Sequence, residues 1–404
     1  MTNQSNASFV PLFDTLDYNH SKLIASHFPY PGDYKQATAF LYHYRGNQAT
    51  YNAYRREIER LLQWCHHIAC KSLCALKRND IEQYLYFCQQ PPAAWIALKR
   101  YPRFIRQHGQ RLANPHWRPF VATTNKGQYA SPGLKNYVLS QPALQAIFAI
   151  INSFYTYLNE ENYIGHNPVA QIRQKSKFIR KNQNRAPVRR LSELQWDYVI
   201  ETAALMAKIN PLGHERSLFI MNCLYGMYLR ISELTASARW EPQMGHFARD
   251  SDGYWWFTTV GKGNKLRLIT VSDAMLNALK RYRLALNLPA LPTPGETTPL
   301  LPKKRSRGPI TSTRQIRNIV QACFDRALVR MQKDGLQDDA VQLKIATVHW
   351  LRHTGISEDV KIRPREHVRD DAGHSSSTIT DRYVDIEQRA RHASGRKKRI
   401  QPNS

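Results

Sequence analysis

Acidic residues are scarce in this chain. Its 404 residues carry 31 Asp and Glu against 58 Lys and Arg, a formal charge of +27. An excess of that size points to a polyanionic partner, nucleic acid first and an acidic membrane surface far behind it. Long apolar runs are also lacking: none approaches the roughly 20 residues needed to span a bilayer. Met1-Thr2-Asn3-Gln4 opens without a secretory signal pattern, so a cytoplasmic protein is expected. Cysteine is sparse as well. Cys65, Cys70, Cys74, Cys88, Cys223 and Cys323 are too few and too irregularly spaced for a disulfide scaffold, and they read as reduced thiols. The cluster of Cys65, His66, His67, Cys70 and Cys74 lacks a second Cys or His pair at a zinc-finger interval, so no metal is expected there. A G-x-x-x-x-G-K-[ST] loop is absent, which excludes a phosphate cradle of that type.

What is present suits two domains with real cores. Residues 1–33 read as an N-terminal arm, poorly packed or laid as a strap over the next domain. Pro29, Tyr30, Pro31 and Gly32 argue against a helix there. Residues 34–172 have a helical period. One helix is capped near Asn47 and carries Tyr54, Ile58, Leu61, Leu62 and Cys65 inward. A second is capped by Asn79, and a third starts near Pro142. Between the second and third lies a basic insertion at about 91–140. There Lys99, Arg100, Arg103, Arg106, Arg111 and Arg118 alternate with Tyr101, Phe104 and Trp117. Such a mixture can meet phosphates and stack, or can pack its aromatics inward beneath a basic surface. Residues 173–190, with Lys175, Lys177, Arg180 and Lys181 and no acid, read as a basic linker along phosphates. Residues 191–391 form the second domain, and 392–404 a basic C-terminal tail.

The second domain holds the residues with chemistry. In HWLRHTGI, His349, Arg352 and His353 share one helical face. In AGHSSSTITDRY, Thr378 and Asp381 suit a capping box, which puts Tyr383 in the second turn of a helix nine residues after His374. YGMYLRISEL carries Arg230 with Glu233 three residues on. Lys262 lies in a Gly-Lys-Gly-Asn turn between strands expected at 254–260 and 266–271, and Lys265 at the outgoing strand is expected to contact phosphate only. An arginine fork meets two phosphodiester oxygens at once. A tyrosine hydroxyl can attack phosphorus and hold it covalently, and imidazoles supply a base and donors near neutral pH. Asp370 and Asp371 are expected to pair with Arg365 or Arg369 rather than join His374 around a metal.

In combination and order, these motifs strongly resemble those of the tyrosine recombinase (phage integrase) family. The resemblance implies a mainly α protein with a small antiparallel β-sheet, built as a two-domain C-shaped DNA clamp. One domain is the helical core-binding domain and the other is the catalytic domain. It implies that Tyr383 is the nucleophile, leaving a 3′-phosphotyrosyl link and a free 5′-hydroxyl. Arg230 and Arg352 would clamp the phosphate, and Lys262 would protonate the leaving 5′-oxygen. His349 would accept the tyrosine proton and His374 would donate to a phosphate oxygen, with Glu233 and His353 in support. Neither metal nor another cofactor is implied. The implied partner is double-stranded DNA, acted on by a homotetramer on paired sites, with accessory DNA-bending proteins as candidate helpers, no membrane, and a nucleoid-associated location. Two departures stand out: Ala372 where the family usually has a larger apolar residue, and Gly355-Ile356-Ser357-Glu358 after the Arg-His-Thr. Two rivals share parts of this picture. A type IB topoisomerase-like nicking-closing enzyme uses the same chemistry on one duplex. A non-catalytic DNA-site-binding protein would not need the set Arg230, Lys262, Arg352 and Tyr383.

Overall fold

In a computed structural model, the residues described are 9–15, 28–122, 137–170, 172, 189–261, 264–374 and 396. The chain divides into two compact units, residues 1–184 and 185–404. Both are mainly helical, with small sheets. Among the described residues no helix is long and apolar enough to cross a membrane.

The first unit is built on α1 (Pro31–Tyr42), α2 (Gln48–Trp64), α3 (Arg78–Gln89) and α4 (Gln141–Glu160). Asn47 caps α2, its side chain accepting from the Thr50 backbone N–H at 3.2 Å. Ile58, Leu61 and Leu62 of α2 join Ile147, Ile151, Phe154 and Leu158 of α4 in one core. Each such side chain contributes roughly 1.5–3 kcal/mol on burial. Two expectations are corrected here. Pro31 and Gly32 begin α1 rather than forbid it, because a first-turn proline has no intrahelical N–H bond to lose. Asp33 then fixes that turn: its buried carboxylate accepts from Leu73 N and from the Tyr163 hydroxyl, both at 2.8 Å. At α3 the capping group is not Asn79. Asp80, inside the first turn, accepts from the Lys77 backbone N–H at 2.8 Å.

The N-terminal arm is a strap over its described part. Phe9, Leu12 and Phe13 are buried, and Glu59 of α2 accepts from Leu12 N at 2.7 Å. The insertion is structured from residue 96 to 121. Strand β1 (Ile96–Ala97) pairs in parallel with β4 (Phe120–Val121), and β2 (Phe104–Gln107) forms a hairpin with β3 (Gln110–Ala113). Its aromatics Phe104, Trp117 and Phe120 are buried. Several of its arginines are engaged by the protein. Arg103 pairs with Glu59, Arg111 meets Asp14 at 2.5 and 2.7 Å, and Arg60 of α2 donates to Pro119 O at 2.8 Å. These bonds hold the insertion to α2 and to the strap.

The second unit opens with α5 (Glu193–Ile209), where Ser192 and Gln195 form a reciprocal capping box at 3.2 and 2.9 Å. Helix α6 (Pro211–Gly226) is apolar nearly all round in its second half, with Leu218, Phe219, Ile220, Met221, Cys223 and Leu224 buried. A helix of that kind belongs in the middle of a core. It packs against α5, α7 (Asp273–Ala285), α8 (Thr313–Lys333) and α10 (Val348–Asp359). Helices α9 (Gln337–Ile345) and α11 (Arg365–Ala372) complete the described set. The sheet is antiparallel in the order β5 (Phe247–Arg249), β6 (Trp255–Val260), β7 (Leu266–Thr270). Phe257 pairs with Phe247 on one side and Ile269 on the other, so the sheet's inner face is seated by three apolar side chains.

Candidate active site

Three separate stretches converge in the second unit. The first follows α6. Arg230 donates to Glu233 twice, from Nη1 to Oε1 at 2.9 Å and from its backbone N–H to Oε2 at 2.8 Å. Glu233 is 1% exposed and also accepts from Arg267 Nη2 of β7 at 2.6 Å. Two guanidiniums offset the cost of burying that one carboxylate, and either one alone still leaves it a charged partner.

Helix α10 provides the second stretch, with His349, Arg352 and His353 on one face. Gly355 lets it approach α6 closely, since a Cβ there would lie 2.1 Å from Tyr225 O. The third stretch is the C-terminal end of α11. Gly373 stops that helix in the left-handed conformation, φ +62°, where a Cβ would strike Arg267 Cδ at 2.7 Å. The last carbonyls of a helix have no intrahelical partner and carry its negative end. Here Gly373 N and His374 N meet Asp370 O and Arg369 O, and the arginines take the carbonyls that follow. Arg352 Nη2 donates to Ala372 O at 2.5 Å, Arg230 Nη2 donates to Gly373 O at 3.3 Å, and Arg352 Nη1 donates to Tyr228 O. His374 follows immediately, its Nε2 3.4 Å from Arg352 Nη2. Arg230 is the outer member of the pair and Arg352, 3% exposed, the inner one.

Burial sets the histidines, and this concentration of positive charge adds to it. Burial, with Arg352 and Arg230 next in effect, pushes the His374 imidazole down to about 4. Burial, then His349 and Arg352, brings His353 to about 4 as well; its ring meets that of His349 edge-on, 4.8 Å between centroids. His349 is exposed at its outer edge, yet loss of water from the rest of the ring, with both arginines near, lowers it too. All three are therefore neutral near pH 7. A neutral His374 can accept the Arg352 N–H at Nε2 and keep Nδ1–H as a donor.

The linkage has a definite sign. Between about 4 and the unfolded value near 6.5, the unfolded chain binds a proton at residue 353 that the folded chain does not. Stability is therefore lost as pH falls from above 7 toward 4. His353→Gln removes that one site and should soften the fall in melting temperature between about pH 7.5 and 5, by about 2 kcal/mol of stability over the range. Identical pH slopes for the two proteins would refute a depressed His353.

Of the remaining residues singled out from sequence, Lys262, Tyr383, Lys175, Lys177, Arg180 and Lys181 lie outside the described residues. The hairpin nevertheless reaches the site: Gly261 stands against the Arg230–Glu233 pair, and a Cβ there would lie 3.6 Å from Arg230 Nη1. Lys265 is exposed at the start of β7, and its carbonyl accepts from Gly261 N at 2.8 Å. Lys99, Arg100 and Arg106 are exposed in the first unit, whereas Arg103 is held by Glu59. Asp370 pairs with Arg369 at 2.8 Å, as expected, but Asp371 pairs with Arg363 at 2.6 Å rather than with Arg365. Among the described residues no group of three or more His, Cys, Asp or Glu is placed to hold a metal ion.

Sequence reasoning missed Arg267, Tyr228, Asp359 and Arg363. Arg267 carried a legible signal, because β7 alternates outward and inward and the arginine falls at an inward position. Its Nε and Nη1 are buried with no hydrogen-bond partner among the described residues.

No protein-family model matches the chain. A tyrosine recombinase XerC of Chlorobaculum parvum is 23% identical over 248 residues, covering 59% of this chain and 67% of the relative. A tyrosine recombinase XerD of Rickettsia bellii is 28% identical over 157 residues, covering 37% of this chain and 48% of the relative, about half its length. Among solved structures, XerH site-specific recombinase bound to palindromic difH substrate, in a post-cleavage complex, aligns with a TM-score of 0.56 at 11% identity. That alignment covers 95% of this chain and 91% of the other. The fold is thus that of the two-domain site-specific recombinases. In sequence, the chain is similar to tyrosine recombinases over part of its length.

Proposed function

We propose that this chain is a site-specific DNA recombinase of the integrase type, cutting and rejoining strands through a 3′-phosphotyrosyl intermediate on Tyr383. The observation that carries this reading is the meeting of Arg230, Arg352 and His374 around the end of α11, from stretches far apart in sequence. In-line attack on a phosphodiester builds negative charge on the non-bridging oxygens. Donors already fixed in place stabilise that charge without reorganising. Arg230, held by Glu233 and Gly373 O, and Arg352, held by Tyr228 O and Ala372 O, are such donors. His374 adds a further N–H to a phosphate oxygen. His349, neutral and open on its outer edge, accepts the Tyr383 proton as the phosphorus–oxygen bond forms. Lys262, one residue beyond Gly261, protonates the departing 5′-oxygen, and His353 buttresses His349. The covalent link conserves the phosphodiester for attack by an incoming 5′-hydroxyl, which reverses the step without nucleotide hydrolysis.

The substrate is double-stranded DNA, and strand exchange requires two sites held together, which favours a homotetramer. Exposed Lys99, Arg100, Arg106 and Lys265, with Lys175, Lys177, Arg180 and Lys181 of the linker, are the proposed phosphate contacts. Such a protein works in the cytoplasm, on the nucleoid.

The test uses a duplex nicked just beyond the cleavage position, so that a short 5′-hydroxyl fragment diffuses away and traps the protein. The chain should become covalently attached to a DNA 3′ end, and should do so in EDTA, because arginine and lysine supply the charge that a metal would otherwise supply. Attachment to a 5′ end, or cleavage that chelator abolishes and magnesium restores, would overturn the reading.

A further inference from the structure

Tyr228 adopts a backbone conformation that a tyrosine rarely takes. Its φ is +51°, in the left-handed region, and its side chain is 1% exposed. A bulky residue stays in that region only where its surroundings over-determine it. Here they do so at three points. The ring packs in a small core with Ile356 of α10 and Val368 and Ala372 of α11. The hydroxyl donates to the Asp359 carboxylate at the end of α10 and accepts from Arg363 Nη1 at 3.1 Å. Arg363 in turn pairs with Asp371 at 2.6 Å, and Asp371 accepts from Thr270 N of β7 at 3.1 Å. The third point is the carbonyl, which accepts from Arg352 Nη1.

The left-handed turn is what aims that carbonyl. It turns the chain after α6 so that Tyr228 O faces Arg352 while Arg230, two residues on, reaches Glu233 and Gly373 O. A glycine could take this φ freely but would have no side chain to hold it there. The tyrosine is fixed by its own hydroxyl.

We propose that Tyr228 is a positioning residue for the phosphate clamp, and that Asp359, Arg363 and Asp371 anchor it. Through this anchor the aim of Arg352 depends on α10, α11 and the β6–β7 hairpin together. The inference rests on the recombinase reading and deepens it, by assigning a role to a residue that meets no substrate.

The experiment compares single-turnover cleavage of nicked duplexes carrying either an ordinary phosphate or a neutral methylphosphonate at the scissile position. Tyr228→Phe keeps the ring and loses only the hydroxyl. It should slow cleavage of the phosphate substrate roughly tenfold, with DNA affinity unchanged. The slowing should vanish on the methylphosphonate, where Arg352 has no charge to neutralise. Nor should it add to the loss in Arg352→Ala, since a positioning residue acts only through the group it positions. Asp359→Ala, which leaves the packed ring untouched and removes the acceptor of the hydroxyl, should behave alike, and decides the matter if Tyr228→Phe melts below the assay temperature. Equal slowing on both substrates, an additive loss with Arg352→Ala, or a wild-type rate would each overturn the proposal. A wild-type chain that forms no adduct would instead refute the recombinase reading itself.

Discussion

Tyr383→Phe is expected to abolish covalent protein–DNA adducts altogether while leaving DNA binding within about twofold of wild type. The substitution removes one oxygen. In the proposed mechanism that oxygen is the atom that bonds to phosphorus, so no slower version of the same step remains. Binding survives because phosphate contacts spread over a basic chain supply the affinity, and a single hydroxyl adds little to them. The measurement is denaturing electrophoresis of protein trapped on a nicked duplex, beside a mobility-shift titration of the same variant. Adducts retained by Tyr383→Phe would sink the assignment of the nucleophile. Loss of both adducts and binding would show instead that the variant has not folded, which circular dichroism would reveal.

Arg352→Ala and Arg230→Ala should each slow single-turnover cleavage by more than ~100-fold, the scale for losing one transition-state charge donor. Arg352→Lys should recover little. In the structure Nη1 and Nη2 of Arg352 reach two different carbonyls, Tyr228 O and Ala372 O. One ammonium cannot span both and still face a phosphate. The alanine variant leaves those buried carbonyls without a partner, at about 1–3 kcal/mol each, so its melting temperature should drop as well. Arg230→Ala differs in this respect. Glu233 keeps Arg267 as a partner at 2.6 Å, so the unit should stay folded while cleavage fails. Cleavage near the wild-type rate by either alanine variant would refute the clamp.

Much of the second unit could be read from local patterns. Ser192 signals the start of α5, aromatic, β-branched and aliphatic runs on either side of the Gly-Lys-Gly-Asn turn mark β6 and β7, and the spacing of His349, Arg352 and His353 puts them on one face of α10. Such features are visible because they depend on residues within a few positions of one another. Strand β5 escaped notice because it is three residues long and buries only Phe247. Helix α11 escaped because it buries only Val368, Asp371 and Ala372, too few apolar positions to define a period. Pro31 and Gly32 misled for a related reason. Breakers mark an end of a helix, and only the packing of Asp33 against Leu73 and Tyr163 decides which end.

Charge, helical class and the order of the candidate site residues are legible in the chain, since each is a property of composition or of short-range spacing. How those residues are held is set by long-range packing. That Glu233 serves Arg267 as well as Arg230 depends on a strand meeting a turn 34 positions away in sequence. That Arg103 and Arg111 hold the insertion to Glu59 and Asp14 depends on contacts 44 and 97 positions apart. That Arg352 rests on Tyr228 depends on one buried tyrosine in a left-handed turn, 124 positions away. A basic or aromatic side chain has the same local signature whether it faces a phosphate or a buried carboxylate. Which of the two it meets is fixed by the long-range packing that brings distant segments together, and no local pattern encodes that.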